Sequence, residues 1–169
     1  QAQDGEEAVR LVHELKPDVL VTDIEMPGLT GIEASEALRQ SGSDTRVLIV
    51  TTFARPGYLQ RALQAGVLGY VLKDAPSEEL ADAVRRVAQG QRAIASELAE
   101  TAWSAPVVLT ARERDILRLV EEGKSNKEIA RLLNLSPGTV RNYLAEATQK
   151  LGAANRIEAF QIARENGWL

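Results

Sequence analysis

The chain has 169 residues, of which 44% are hydrophobic and none is cysteine, and its formal net charge is −4. This length is enough for one large domain or two small ones. The lack of cysteine excludes disulfides and thiolate metal sites and favours a reducing compartment, so we expect a cytoplasmic protein. No apolar run approaches the ~20 residues that span a bilayer, and we expect no membrane insertion.

Charge is divided unevenly along the chain. Residues 1–103 contain 10 Lys or Arg and 16 Asp or Glu, whereas residues 104–169 contain 10 and 8. An acidic front part followed by a mildly basic back part is typical of an input domain joined to a nucleic-acid-binding domain. The basic excess is small, so charge alone does not establish DNA binding.

Short apolar runs alternate with amphipathic segments over the first 89 residues. Asp4, with Glu7 three residues later, predicts the start of a first helix, which ends at Lys16 before a proline. Strands are predicted at 19–23, 47–52 and 68–73, and further helices at 30–40, 57–65 and 77–89, with Thr30 and Ser77 as caps. Continuous apolar strands that alternate with helices predict an α/β fold with a doubly wound parallel sheet, whose site lies at the carboxyl ends of the strands.

A connector is predicted over residues 90–108, with a short helical piece at 96–102 and an interruption at Pro106. Four short helices follow it. Three of them begin with capping pairs: Thr110 with Glu113, Ser125 with Glu128, and Asn155 with Glu158. Ser136 caps the remaining helix, and Pro137 occupies its first turn. The back part is therefore predicted to be a small all-α domain of four helices.

The helix that begins at Ser136 has one apolar stripe and one polar face. The stripe consists of Val140, Leu144, Ala147 and Leu151. On the opposite face, Arg141 is suited to guanine and Asn142 to adenine in the major groove. Thr139 is a candidate contact to a phosphate, and Lys127 on the preceding helix is a candidate contact to the DNA backbone. Two capped helices joined by a three-residue turn predict a helix-turn-helix that binds double-stranded DNA.

Residues 109–159 resemble the LuxR/FixJ-type helix-turn-helix family in the motifs LTxRE, GxSNKEIAxxL, TVR, KLG and NR. The resemblance implies that the third helix reads DNA, through Arg141 and Asn142, and that the fourth contributes to dimerisation. The chain departs from the family at Tyr143, where histidine is usual, and at Ala145 on the reading face, where a basic residue is common. Since Arg141 and the distal Lys150 are then the positive charges of this helix, we expect weak binding by one copy and dependence on two half-sites. Tyr143 fits a packing role equally well.

Three polar residues end the predicted strands of the front part. Asp23 closes VLVTD, Thr51 falls near the end of the second strand, and Lys73 closes LGYVLK. An aspartate at a strand end can accept a phosphoryl group as a nucleophile, and the reaction needs a divalent metal with hydroxyl and ammonium donors nearby. Because the carboxyl ends of parallel strands meet at one edge, we expect the three side chains to converge there.

The segment VLVTDIEMPGLTGIEA has a DxxMPxxxG pattern. Together with Thr51 and Lys73, it is similar to the receiver domain of two-component response regulators. The stretch from 51 to 87 is similar to the DesR-type members of this family. The resemblance implies phosphorylation of Asp23 by a sensor histidine kinase, with Thr51 and Tyr70 as switch residues. It also implies Mg²⁺ at Asp23, with Glu25 as a further ligand through its backbone carbonyl, and a homodimer on phosphorylation.

A receiver ordinarily begins with a strand that ends in two acidic metal ligands, followed by a helix and a second strand. The opening QAQDGEEA matches the stretch after that unit, so about 30 residues are expected to precede it. Asp4 is no substitute for the acidic pair because it caps a helix. We therefore expect a fragment of a longer regulator. Its receiver is predicted to occupy 1–89, its linker 90–108 and its DNA-binding domain 109–169. The first strand of the receiver is expected to have an unpaired apolar edge, and Mg²⁺ binding is expected to be impaired.

The leading hypothesis is a transcription regulator, not an enzyme, that is phosphorylated on Asp23 and binds promoter DNA as a dimer. The alternative is a phosphorylation-independent DNA-binding protein whose degenerate receiver serves only for dimerisation. A metal-dependent phosphoryl-transfer enzyme is disfavoured, because the sequence shows no P-loop and no general base near Asp23. His13, the single histidine, is expected to lie on the surface.

Overall fold

The chain divides into two units, Gln1–Ser104 and Ala105–Leu169, in a computed structural model that describes residues 1–52, 55–94, 98 and 109–169. The helical piece predicted at 96–102 and the interruption at Pro106 lie outside the described residues, apart from Leu98, which is buried in the core of the first unit. None of the described helices has the length and apolar composition that a membrane crossing requires.

In its described residues, the first unit is built around four parallel strands that lie side by side in chain order. The strands are β1 (Val19–Thr22), β2 (Arg46–Thr51), β3 (Gly69–Leu72) and β4 (Ala93–Ile94). The described helices of this unit are α1 (Gly5–Leu15), α2 (Gly31–Gln40), α3 (Pro56–Gln64) and α4 (Ser77–Ala88). A helix connects each strand to the next, because parallel neighbours cannot be joined by a hairpin.

Both faces of the sheet are covered. Side chains alternate along a strand, so Val47 and Ile49 of β2 face one side and Leu48 faces the other. Val47 and Ile49 pack with residues of α1, α2 and α3, whereas Leu48 packs with Val87 of α4. The predicted α/β class with a doubly wound parallel sheet is therefore confirmed.

β1 pairs with β2 on one side, and the described part of the chain supplies no strand on its other side. Leu20 packs against the core on one face, but Val21 on the opposite face is 47% exposed. β1 is thus an apolar edge within the described residues, as expected from the sequence.

The helix starts of the first unit follow the predicted caps with one exception. Asp4 accepts a hydrogen bond from the Glu7 amide at 2.8 Å, and Thr30 forms a complete capping box with Glu33. The prediction that Ser77 caps α4 is wrong, because the N-cap is Pro76 and no side chain caps the helix. Two glutamates in the first turn, which complement the helix dipole, stabilise this end instead.

The stretch predicted as a connector contains a strand. Ala93 and Ile94 form β4, and the Ala93 amide donates to the Leu68 carbonyl at 2.9 Å. A strand of two residues has no detectable periodicity, so its existence depends on the neighbouring edge of β3 rather than on its own sequence.

The second unit consists, in its described residues, of four helices around one core. They are α5 (Ala111–Glu121), α6 (Asn126–Leu132), α7 (Pro137–Lys150) and α8 (Arg156–Glu165). The apolar stripe predicted on α7 lies on this core, with Val140, Leu144 and Ala147 buried. The predicted all-α domain is confirmed.

Two of the three capping boxes predicted in the second unit are complete, at Thr110 and at Ser125. At α8 only half of the box forms. The Asn155 side chain accepts from the Glu158 amide at 3.0 Å, but the Glu158 carboxylate accepts from the Ala154 amide at 2.6 Å. The prediction of a reciprocal box here is wrong because the carboxylate reaches one residue further back.

We expect Gly69→Ala to destabilise the first unit. A Cβ at this position would lie 2.2 Å from Leu48 Cδ1 and 2.8 Å from Val87 Cγ2, well inside van der Waals contact. Overpacking of this kind costs about 1–3 kcal/mol of unfolding free energy, which urea denaturation measures. Gly138→Ala is the matched control, since its nearest neighbour would be 3.6 Å away. Equal unfolding free energies for the two variants would contradict the prediction.

Candidate functional site

The carboxyl edge of the sheet brings together the residues that end or follow its strands. Asp23 comes directly after β1, Thr51 ends β2, and Lys73 comes directly after β3. The Lys73 ammonium donates to Asp23 Oδ2 at 2.7 Å. Thr51 is fully buried, and its carbonyl accepts from the Lys73 amide at 2.9 Å. The structure thus places the predicted carboxylate, hydroxyl and ammonium groups at one edge.

The loop after Asp23 is held by backbone and side-chain contacts. The Ile24 amide donates to Asp23 Oδ1 at 2.7 Å, so both carboxylate oxygens of Asp23 accept hydrogen bonds. The Glu6 carboxylate, on α1, accepts from the Leu29 amide at 3.1 Å. At Gly31 a Cβ would lie 1.9 Å from the Asp23 carbonyl oxygen, so only glycine allows α2 to begin this close to the strand end.

Glu25, two residues after Asp23, is engaged through its side chain with helix α3. Its carboxylate accepts a hydrogen bond from the Tyr58 hydroxyl at 3.1 Å, and the Arg55 guanidinium lies 5.6 Å from the centroid of the Tyr58 ring. Burial raises the pKa of Tyr58, and the neighbouring Glu25 charge and hydrogen bond raise it further. Sequence reasoning missed Tyr58 and Arg55, because nothing in their own segment indicates a contact with the loop after β1.

Tyr70 lies in the core of the first unit. It is 1% exposed, and on β3 it pairs in register with Ile49 and Ile94. Burial raises its pKa, and Tyr58 and Asp23 contribute in the same direction. The predicted switch aromatic therefore points inward and lies near the strand edge that carries Asp23.

The oxygen donors at this edge suit Mg²⁺ in kind. The Asp23 carboxylate and the Glu25 backbone carbonyl are the hard ligands that Mg²⁺ prefers, and Mg²⁺ commonly keeps several waters beside one or two carboxylates. Asp4 does not join them, since it caps α1 as expected. Within the described ranges, no group of three His, Asp or Glu side chains forms a metal cluster.

The polar face of α7 is exposed in the second unit. Arg141, Asn142 and Ala145 are all exposed, and so is Lys127 on α6. Thr139 is half-buried, and its hydroxyl lies 2.9 Å from the Ser136 hydroxyl that caps the helix. The structure therefore displays the predicted reading residues together, with the Thr139 hydroxyl already engaged at the cap.

The turn between α6 and α7 and the start of α6 are both fixed. Asn134 adopts a left-handed conformation, with φ 54°, where the chain reverses between the helices. Arg156, on α8, donates to Asn126 Oδ1 at 3.1 Å and to the Lys124 carbonyl at 3.3 Å. Tyr143 is half-buried and packs against the core, in agreement with a packing role.

Lys150 is bound to a buried carboxylate. Its ammonium donates to both Glu113 oxygens, at 2.7 and 2.8 Å, and Glu113 is 1% exposed. Burial by itself raises the pKa of Glu113, but the hydrogen bonds from Lys150 and Thr110 outweigh it and hold the pKa below the ordinary value. The positive charge of Lys150 on α7 is thus paired with the Glu113 carboxylate, and this ion pair joins α7 to α5. Sequence reasoning found Glu113 only as a capping residue.

The two units match two known protein families. Residues 1–85 match the family described as "Response regulator receiver domain", and residues 107–163 match "Bacterial regulatory proteins, luxR family". The chain is 52% identical over 164 residues to the transcriptional regulatory protein DesR of Bacillus subtilis (strain 168), covering 97% of this chain and 81% of DesR. It is 48% identical to YvfU of the same organism, an uncharacterized transcriptional regulatory protein, over 100% of this chain and 84% of YvfU.

Solved structures give the same assignment. The response regulator RcsB, in a complex with DNA, aligns with a TM-score of 0.60 and 26% identity over 95% of this chain and 81% of RcsB. The response regulator ChrA of a heme-sensing two-component system aligns with a TM-score of 0.51 and 38% identity, over 98% of this chain and 82% of ChrA.

We expect Glu113→Gln to flatten the acid dependence of the stability of the second unit. Because the folded-state pKa of Glu113 lies below the ordinary 4.5, its ionised form stabilises the fold fully above that pH, and this contribution is lost as pH falls through the folded-state pKa. Urea midpoints measured from pH 7 downward should therefore fall less steeply in the variant than in the wild type. Glu146→Gln, at an exposed position of α7, is the control. Identical pH profiles for wild type and Glu113→Gln would refute the assignment.

Proposed function

The chain belongs to the two-component response regulators that join a receiver domain to a LuxR-type DNA-binding domain, and we propose that phosphorylation of Asp23 by a sensor histidine kinase controls its binding to promoter DNA. The relatives that match it over nearly its whole length are transcriptional regulators. The proposal includes a cytoplasmic location, because promoter binding requires the compartment that contains the chromosome.

The contact between Asp23 and Lys73 is the observation that carries this proposal. The Asp23 carboxylate attacks the phosphorus of a phosphohistidine, an oxygen–phosphorus bond forms, and the nitrogen–phosphorus bond to the leaving imidazole breaks. Lys73, 2.7 Å from the carboxylate, neutralises the negative charge that the phosphoryl oxygens bring to the edge. Thr51, which ends the strand between them, supplies a hydroxyl to the same group.

Receiver domains generally bind Mg²⁺, and the donors present in this chain fit that ion. Asp23 would hold it through its carboxylate and Glu25 through its backbone carbonyl. When bound, Mg²⁺ shields the charge of the phosphoryl oxygens. Glu6 and Gly31 keep the loop that carries these donors in place.

The phosphoryl group carries roughly 1.5 to 2 negative charges at neutral pH, and it replaces the single charge of the Asp23 carboxylate. Lys73 then exchanges part of its contact with Asp23 for the phosphoryl group, and Thr51 moves toward the same oxygens. Tyr70, which lies near Asp23, then moves into the space that the shift of Thr51 opens. The result is a shift between two states of the receiver, of which the phosphorylated one pairs as a homodimer.

The second unit would read DNA through α7. Arg141 and Asn142 contact base edges, Thr139 and Lys127 contact the phosphate backbone, and the small Ala145 allows close approach of the helix. Because Lys150 is bound to Glu113, Arg141 is the one cation of α7 available to the duplex. A single copy is therefore attracted weakly, and binding depends on two copies at neighbouring half-sites.

Asp23→Asn should abolish phosphorylation and its effect on DNA affinity. The amide cannot form the acyl phosphate, so the full-length protein should take up no label from its phosphorylated kinase, and its promoter affinity should not respond to phosphodonor. Asp18→Asn, at an exposed position before the other end of β1, is the matched control and should be labelled like the wild type. Promoter affinity that is high and equal with and without phosphate in the wild type would favour the phosphorylation-independent alternative.

Arg141→Ala and Lys127→Ala should weaken DNA binding in different ways. Loss of the Arg141 guanidinium should cost about 1–3 kcal/mol and relax preference at one base pair, because a base contact is lost. Loss of Lys127 should weaken binding uniformly across sequences and reduce the salt dependence of log K by about 1. Affinities for a set of single-base operator variants at several salt concentrations measure both effects. Unchanged selectivity in Arg141→Ala would remove Arg141 from the reading role.

A further inference from the structure

The carboxylate of Glu25, two residues after the acceptor, is held by a side chain of α3. Glu25 belongs to the exposed part of the loop after β1, yet its side chain accepts a hydrogen bond from Tyr58, which is buried on α3. The hydroxyl that holds it comes from a residue 33 positions later in the chain. The hydrogen bond from the buried Tyr58 thus fixes the position of the exposed Glu25 carboxylate.

Tyr58 is itself supported on several sides. It belongs to the core cluster that includes Leu59 and Tyr70, and the Arg55 guanidinium lies over its ring. Its hydroxyl donates to the Glu25 carboxylate at 3.1 Å. The side chain that holds Glu25 is therefore itself held by the core.

The position of this carboxylate matters for the charge at the acceptor edge. Asp23 and Lys73 form one ion pair of opposite charges there, whereas an arriving phosphodonor is an anion. A second carboxylate at the same place would repel the donor, and a unit charge a few ångströms away changes a rate by roughly threefold to tenfold even in a well-screened setting.

We propose that Tyr58 is a positioning residue that keeps the Glu25 carboxylate out of the path of the phosphodonor and thereby sets the rate at which Asp23 is phosphorylated. This inference rests on the proposed function, because it concerns the same acceptor. In this inference Tyr58 acts on the phosphorylation of Asp23 through Glu25. Its effect must therefore disappear when Glu25 carries no charge.

The test is a double-mutant cycle on the full-length protein with acetyl phosphate as donor. The rate of ³²P incorporation should fall roughly threefold to tenfold in Tyr58→Phe, because the released carboxylate samples positions beside Asp23. In the background of Glu25→Gln, adding Tyr58→Phe should leave the rate equal to that of Glu25→Gln alone. Tyr143→Phe, a matched loss of a hydroxyl in the second unit, should label like the wild type.

Two results would overturn the inference by itself. One is a wild-type rate in Tyr58→Phe, and the other is a slowing that persists in the Glu25→Gln background, which would mean that Tyr58 acts through packing. Failure of the wild type to incorporate phosphate, from acetyl phosphate or from a phosphorylated kinase, would overturn the proposed function and this inference together. The two kinds of failure are thus distinguishable.

Discussion

The ion pair between Lys73 and Asp23 is the interaction on which the acceptor edge depends. The two residues are 50 positions apart, and they meet because β1 and β3 flank β2 in parallel and end at the same edge. Both carboxylate oxygens of Asp23 already accept hydrogen bonds, one from Lys73 and one from the Ile24 amide. A group added to either oxygen would share that oxygen with one of these donors. Because Lys73 follows directly on β3, a shift of Lys73 would act on the strand that also carries the buried Tyr70.

A different ion pair organises the second unit. Glu113 and Lys150 join the first turn of α5 to the last turn of α7, and the Glu113 carboxylate also accepts from the Thr110 amide. A buried carboxylate is tolerated here because an ammonium and a backbone amide satisfy it. The charge of Lys150, at the end of α7, is thereby paired with Glu113, and Arg141 is the other positive charge of this helix.

The sequence predicted those features that depend on contacts between residues close together in the chain. The capping box of Thr110 and Glu113 was predictable because its two partners lie three residues apart and share one turn of helix. The same reasoning failed at Ser77, where the preceding proline takes the cap position and the helix dipole is met by glutamates. The order of strands and helices and the convergence of strand ends follow from chain-wide periodicity, which is why the fold class was accessible. The contact between Tyr58 and Glu25 joins segments with no shared pattern, so only the tertiary structure reveals it.

Under the proposed function, the way α7 is fixed limits how phosphorylation could control it. Ser136 caps its first turn, Lys150 binds Glu113 at its last turn, and the stripe between them lies in the core. A helix held along its whole length has little freedom to change its own shape, so control through its conformation is disfavoured. Control through dimerisation has no such restriction. Linking two weakly binding DNA-binding units raises their joint affinity by on the order of 10²–10⁴ without any new kind of contact to DNA. Under the proposed function, a charge added at the edge of the sheet therefore needs only to change pairing in order to change promoter occupancy.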